Sequence, residues 1–381
     1  MRNIGDLRQR QALPLEAKVY MSQARIREWY DHFDGNVCVS FSGGKDSTVL
    51  AHLVHDLYPE VPLVFANTGL EYPEIQSMAR KMGADFVRPK MQFTEVISKY
   101  GYPLITKQVS EAIYYARQIR KTNDDTKQKE TYYRRCDFTG QPYQRNQQID
   151  TTKKGETFKW GKTKWLPLIQ QTAFKISHKC CSVMKKQPMQ QYHRKTKRNP
   201  YIGTLAEESM MRTQAWIKNG CNAFESDRPV SQPMSFWTEQ DVLHYIKDRG
   251  IEIAKVYGEI LAVNNDGFMY EPMPGVDCRL KCTGCQRTGC IFCGFGVHLD
   301  KDEKTKFQKL AETHPRQYEY CMKGGQWVDN PDYDPAAPKM DGDWENWNPK
   351  KIWVPSKEGL GMKYVFDQCN QIYGKDFIRY E

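Results

Sequence analysis

Val37-Cys38-Val39-Ser40-Phe41-Ser42-Gly43-Gly44-Lys45-Asp46-Ser47-Thr48-Val49-Leu50 is the stretch best equipped for chemistry. An apolar, β-branched run ends in a Ser-Gly-Gly turn, and a helical pattern follows at once. The order is strand, phosphate-sized loop, helix N-terminus. The first N–H groups of such a helix have no partner within it and face whatever sits above. Gly43 and Gly44 let the backbone approach an anion without Cβ interference. Lys45 adds a mobile positive charge, Asp46 suits a Mg²⁺ that accompanies nucleotide phosphates, and Ser42 and Ser47 add hydroxyl donors. The segment Ser40–Ser47 reads as a di- or triphosphate cradle.

The second concentration is sulfur. The chain has 12 cysteines, and Cys278, Cys282, Cys285, Cys290 and Cys293 crowd together. Cys180 and Cys181 are adjacent. In a chain expected to be cytosolic, so many thiols argue for metal or catalysis rather than disulfides. Cys282-x-x-Cys285 and Cys290-x-x-Cys293 have the bite for Zn²⁺ or an iron–sulfur cluster. Two ligand sets stay open. One is a zinc knuckle on Cys282, Cys285, Cys290 and Cys293. The other is a [4Fe–4S] cluster on Cys180, Cys181, Cys290 and Cys293, with His178, Lys179, Lys185 and Lys186 lowering thiol pKa values nearby.

The elements that must position these groups follow from periodicity. Residues 14–33 have helical spacing. Strands are expected at 37–41, 62–66 and 85–88, with helices at about 45–57 and 73–82 between them. Alternation of this kind implies a parallel sheet with right-handed crossovers. Ligands then sit beyond the strand C-termini, at the switch point. The Ser42 loop and the Asn67-Thr68-Gly69 loop both lie at strand C-termini and so are expected to share one nucleotide, with its adenine near Phe65–Gly69. A fourth strand is expected at Tyr201–Thr204, and a capped helix begins at Thr238 with Asp241 three residues on. Residues 117–165 are polar, Lys/Arg/Gln-rich and studded with Tyr, and are expected to be an insertion with a small hairpin near Thr157–Leu166. After Cys293 a charged helical stretch runs to about 322, then a Trp/Pro/Gly/Asp-rich segment, then a short closing helix.

Net charge is +10, from 56 Lys+Arg against 46 Asp+Glu. Residues 175–198 hold Lys175, Lys179, Lys185, Lys186, Arg194, Lys195, Lys197 and Arg198 and no acid. Such a field attracts polyanions: nucleotide, sulfate ester or nucleic acid. The insertion interleaves Arg134 and Arg135 with Tyr132 and Tyr133, a pattern that can stack single-stranded nucleic acid. No run of about 18 apolar residues exists, so no membrane span is expected. The N-terminus lacks an apolar signal core, and the expected compartment is the cytoplasm.

Two resemblances sharpen this. The loop is not a Walker A motif. It resembles the Ser-Gly-Gly-x-Asp-Ser pyrophosphate loop of the ATP pyrophosphatase superfamily. The ordered set Cys180-Cys181-Ser182-Val183-Met184-Lys185-Lys186-Gln187-Pro188, Gly203…Glu208-Ser209-x-x-Arg212, Trp237-Thr238-Glu239-Gln240-Asp241-Val242 and Cys290-x-x-Cys293 resembles the iron–sulfur branch of the phosphoadenylylsulfate (PAPS) and adenylylsulfate reductases over roughly residues 35–300. The resemblance implies an adenine nucleotide alpha hydrolase-like fold: an α/β domain with a doubly wound parallel sheet, a basic insertion and a C-terminal extension. It implies cluster ligands Cys180, Cys181, Cys290 and Cys293, a lysine near the cluster at Lys185, and an arginine facing the phosphosulfate at Arg212. Asn67, Thr68, Gly69, Gly203, Glu208 and Ser209 join the nucleotide site. The expected organisation is a nucleotide-binding half (1–116), the insertion (117–165), a second half with the cysteines (166–300) and the extension (301–381).

Departures from the family pattern also carry information. Met184 stands where a basic residue is expected, and Leu205 where an arginine is expected. No Glu-Cys-Gly-x-His segment follows; Cys369 lies in Asp367-Gln368-Cys369-Asn370. The phosphate loop is intact, which a one-phosphate substrate does not need. The expected function is an ATP-dependent, iron–sulfur-linked sulfurtransferase-type reaction, with nucleic acid as a fitting acceptor and with Lys45, Asp46 and Arg212 in the chemistry. The alternatives are a PAPS or adenylylsulfate reductase using a thiol reductant, and a nucleotide- or redox-sensing binding protein without catalysis.

Overall fold

The structure is a computed structural model that describes residues 2–117, 143–144, 157–158, 163–273, 278–335 and 347–381. The chain divides into two compact units, each built from two separated stretches. Met1–Lys90 joins Met184–Ile291, and Met91–Val183 joins Phe292–Glu381.

The first unit holds a six-stranded sheet in the order 85–87, 63–66, 37–41, 199–202, 230–231, 222–223. All neighbours run parallel except the last pair, Val230–Ser231 with Asn222–Ala223. Val37–Phe41 is buried at four of five positions, as a central parallel strand must be. The strand order reverses between Val37–Phe41 and Asn199–Ile202, which makes the loops after these two strands the switch point. The parallel sheet expected from the alternation and the doubly wound α/β architecture implied by the resemblance are present. Helix Leu15–His32 buries Lys18, Ser22, Ile26 and Trp29, one helical face. Two of these are polar and satisfied: Lys18 Nζ meets Asp241 at 2.7 Å, and Ser22 Oγ accepts from the Trp237 indole at 2.9 Å. The fourth strand spans Asn199–Ile202 rather than 201–204, because Gly203 and Thr204 already turn away, with Thr204 N–H on the Ile202 carbonyl at 3.1 Å.

In the second unit Leu104–Ile105 pairs in parallel with Gly294–Phe295, and Gln326–Asp329 pairs antiparallel with Lys351–Val354. The residues after Cys293 therefore begin as a strand. Helices Lys306–Thr313 and Pro315–Met322 follow, and Met362–Tyr373 closes the chain. The core includes Tyr102, Phe174, Phe307 and Phe366. The hairpin expected near Thr157–Leu166 is corrected: Thr157–Phe158 pairs with the upstream Tyr143–Gln144, and Leu166 instead starts helix Leu166–Gln171. Arg134, Arg135 and most of the insertion lie outside the described residues. No helix among the described residues is long and apolar enough to cross a membrane.

Candidate functional site

The strand Val37–Phe41 delivers its chain into Ser42-Gly43-Gly44, and helix Lys45–His55 starts with Gly44 at its N-cap. Gly43 has φ +71, and a Cβ there would lie 2.8 Å from Ile75 Cγ2 and 3.0 Å from the Ile75 carbonyl oxygen. Only glycine meets both demands. The loop is tied internally: Ser42 N–H donates to Ser47 Oγ at 3.1 Å, and the Ser47 hydroxyl donates to the Gly44 carbonyl at 2.9 Å. Gly203 serves close approach. A Cβ there would lie 3.0 Å from the Asp46 carbonyl oxygen and 3.1 Å from Ser47 Cα.

The cationic end of the loop is engaged by the chain itself. Lys45 is 4% exposed, and its Nζ donates to the Glu239 carboxylate and to the Gln286 carbonyl, the latter at 3.0 Å. Lys45 N–H donates to the Tyr257 hydroxyl at 3.2 Å, and that hydroxyl is 2.6 Å from Thr288 Oγ1. Burial pushes the Tyr257 phenol up to about 12, so it stays protonated. Asp46 Oδ1 is buried with no hydrogen-bond partner. Burial raises the Asp46 pKa above the usual carboxylate range, and Lys45 opposes that rise. A buried, unsatisfied carboxylate oxygen beside an anion cradle fits a divalent cation. These groups line a cavity of about 260 Å³ with Glu207, Glu208 and Arg287. Arg212 is ion-paired with Glu208, and its helix is capped by Ser209 Oγ, which accepts Arg212 N–H at 3.3 Å. Burial, and then the neighbouring Arg287 charge, pull the Arg212 pKa down.

A larger cavity of about 1020 Å³ opens beside the loop. Ser40, Ser42, Phe65 and Ala66 line it, and Lys185, Lys186, Arg194, Lys197, Arg198 and Arg228 give it a basic wall. Ser42 belongs to both cavities. Next to Ala66, the Asn67-Thr68-Gly69 loop is held by the buried Glu71. Its carboxylate accepts Thr68 N–H at 3.1 Å and Thr68 Oγ1–H at 2.7 Å, and lies 3.5 Å from Lys185 Nζ. Asn67 Oδ1 accepts Gly69 N–H at 3.2 Å.

The expected site residues of the phosphate loop, Gly203, Glu208, Ser209 and Arg212 thus meet at one end of the first unit's sheet, and the Asn67 loop flanks the larger cavity. Sequence reasoning missed the partners Tyr257, Gln286, Arg287 and Thr288. Gln286, Arg287 and Thr288 had only their position between the two Cys-x-x-Cys pairs as a signal, and Tyr257 had none.

The cysteines are distributed differently. Cys180 and Cys181 hold their sulfurs 3.9 Å apart and belong with Cys293 to the second unit; Cys278, Cys282, Cys285 and Cys290 belong to the first. Cys282 sits in strand Leu280–Cys282 and is buried, which raises its thiol pKa. Among the described residues, no group of three or more His, Cys, Asp or Glu side chains is gathered to hold a metal ion. Cys369 is fully buried and pushed up to about 12, which removes it as a thiolate nucleophile.

With this geometry in place, comparison defines the class. The phosphoadenosine phosphosulfate reductase domain matches residues 36–177 and 142–294, well over half of the chain. The chain belongs to that family. A crystal structure of phosphoadenylyl-sulfate (PAPS) reductase from Candida auris, in complex with phosphate, is similar at 12% identity with a TM-score of 0.33. The match covers 64% of this chain and 91% of that one. No curated protein matches the chain.

Proposed function

We propose that the chain binds ATP and uses it to adenylate an acceptor for sulfur transfer. The observation that carries this reading is the intact cradle. Gly43 is forced to positive φ against Ile75, the helix N-terminus lies above it, and Asp46 keeps an oxygen without a partner. A substrate with a single phosphate needs none of this. The outer phosphates of ATP would occupy the smaller cavity and its adenosine the larger one, with Ser42 between them. Lys45 then leaves Glu239 for the β,γ-phosphates, and Arg212 stabilises charge on the leaving group. The acceptor oxygen attacks the α-phosphorus as the bond to the bridging oxygen breaks and pyrophosphate leaves. A hydrosulfide sulfur next displaces AMP, which departs with the acceptor oxygen. A persulfide donor would instead leave a disulfide adduct that a second thiol cleaves, becoming disulfide-bonded to the donor. Mg²⁺ on Asp46 would add charge stabilisation.

A [4Fe–4S] cluster belongs to the same proposal. Four thiolates suit it, and Cys180 and Cys181 already lie side by side. Cys180, Cys181, Cys290 and Cys293 would hold it, and it would supply redox or sulfur-carrier chemistry when bound. The basic wall of the larger cavity favours a second reading, a PAPS-type reductase, since it suits a nucleotide with an extra phosphate or sulfate. That reaction needs an accessible thiolate; Cys38, Cys321 and Cys369 are buried, so the role would fall to a half-buried cysteine such as Cys278 or Cys285.

Anaerobic purification, iron and acid-labile sulfide analysis and an ATP-to-AMP assay test the proposal together. The expected result is iron that Cys181→Ala loses, and AMP with pyrophosphate formed in step with acceptor. Stoichiometric zinc unaffected by Cys181→Ala but lost in Cys282→Ala establishes the zinc knuckle instead. Thiol-dependent sulfite release without ATP turnover establishes the reductase.

A further inference from the structure

We propose that Arg287 is the guanidinium that receives the outermost phosphate, a role that deepens the ATP reading above and rests on it. Three cationic side chains bear on the smaller cavity: Lys45, Arg212 and Arg287. Lys45 is held by Glu239 and the Gln286 carbonyl, and Arg212 by Glu208. Arg287 makes no ion pair among the described residues. It can therefore meet an incoming anion without first giving up a carboxylate. Arg287 also bears electrostatically on Asp46, Glu207 and Arg212, which places it within range of the cradle.

The position of Arg287 is set on both sides. Gln286 offers its carbonyl to Lys45 at 3.0 Å and its side-chain amide to the Cys282 carbonyl at 2.6 Å. Thr288 Oγ1 lies 2.6 Å from the Tyr257 hydroxyl, which in turn accepts the Lys45 N–H. Arg287 is thus bracketed by two residues fixed to the phosphate loop. Leu205, which also lines this cavity, brings no charge to it. Glu207, Glu208 and Glu239 line it as well, so a polyphosphate there needs a cation that is not already neutralised. A planar guanidinium matches two phosphate oxygens at once, which an ammonium cannot.

The test is calorimetric titration of Arg287→Gln and Arg287→Lys, alongside the parent protein and Lys45→Ala, with ATP, inorganic pyrophosphate and AMP in Mg²⁺ buffer. Arg287→Gln should weaken ATP and pyrophosphate about ten- to a hundredfold, as loss of a charge-assisted hydrogen bond does. AMP affinity should stay within about twofold, and Arg287→Lys should recover only part of the loss. Unchanged ATP affinity in Arg287→Gln, with ATP lost in Lys45→Ala, overturns the role of Arg287 and leaves the ATP reading standing. Equal losses for ATP and AMP in Arg287→Gln also overturn it. A parent protein that binds neither ATP nor pyrophosphate overturns both.

Discussion

Gly43→Ala and Gly69→Ala make a matched pair that isolates the shape of the phosphate loop. Both glycines have positive φ, +71 and +75. Forcing an alanine into that region costs about 1–2 kcal/mol at either position. The surroundings differ. A Cβ at Gly69 meets nothing within 4 Å, whereas at Gly43 it lies 2.8 Å from Ile75 Cγ2 and 3.0 Å from the Ile75 carbonyl oxygen. Part of that obstacle is backbone at the start of helix Pro73–Lys81, which cannot rotate aside. Overpacking of this kind adds about 1–3 kcal/mol. Gly69→Ala should therefore cost about 1–2 kcal/mol and Gly43→Ala about 2–5 kcal/mol. In a unit of this size each kcal/mol moves Tm by about 2–4 °C. Thermal unfolding of both variants beside the parent reads the difference directly. Equal Tm losses, or a larger loss for Gly69→Ala, would refute the claim that the loop is packed against Ile75.

Asp46→Asn should raise the Tm of nucleotide-free protein at pH 7. Burial raises the folded-state pKa of Asp46, so its ionised form is disfavoured by the fold. Its favourable contribution is present below the unfolded pKa and lost as pH rises through the folded one. The Tm gap should thus close on acidification, and a gap that widens would contradict the sign. In native protein at pH 8, Cys38 and Cys369, both buried and pushed up to about 12, should resist iodoacetamide while denatured protein reacts; mass spectrometry of native samples carrying label on either would oppose this. Neutralising Arg134, Arg135 and Lys195 together should flatten the salt dependence of nucleic-acid binding and leave ATP affinity unchanged. Filter binding at about 50 mM salt that detects no nucleic acid at all would remove that partner.

The strand, loop and helix from Val37 to His55 were legible because every local signal agreed: a β-branched run, glycines at the turn and helical spacing after it. Alternation predicted a parallel sheet but not its strand order, which reverses between Val37–Phe41 and Asn199–Ile202 and so puts the Gly203 loop, not the Asn67 loop, beside Ser42 at the switch point. Asn222–Ala223 and Val230–Ser231 were not legible, since two-residue strands carry no period. Nor were the acceptors of the phosphate loop. Tyr257 is 212 residues from Lys45 and Gln286 is 241 residues away, and neither belongs to a motif. Their roles come from tertiary packing that brings Tyr257 and the segment between the Cys-x-x-Cys pairs onto the loop. Arg212 was named from its resemblance, but its pairing with Glu208 one turn earlier emerged only with the helix. The hairpin near Thr157 went wrong because short polar strands pair by context, and the partner lay upstream at Tyr143–Gln144.

Titration of ATP and AMP against the parent protein and Lys45→Ala tests the central claim most directly. Lys45 is buried and lines the smaller cavity, proposed above for the outer phosphates, and not the larger one proposed for the nucleoside. The account predicts that Lys45→Ala weakens ATP by about ten- to a hundredfold and leaves AMP within about twofold. Equal losses for the two nucleotides, or none for either, would contradict a pyrophosphate cradle at Ser42–Ser47.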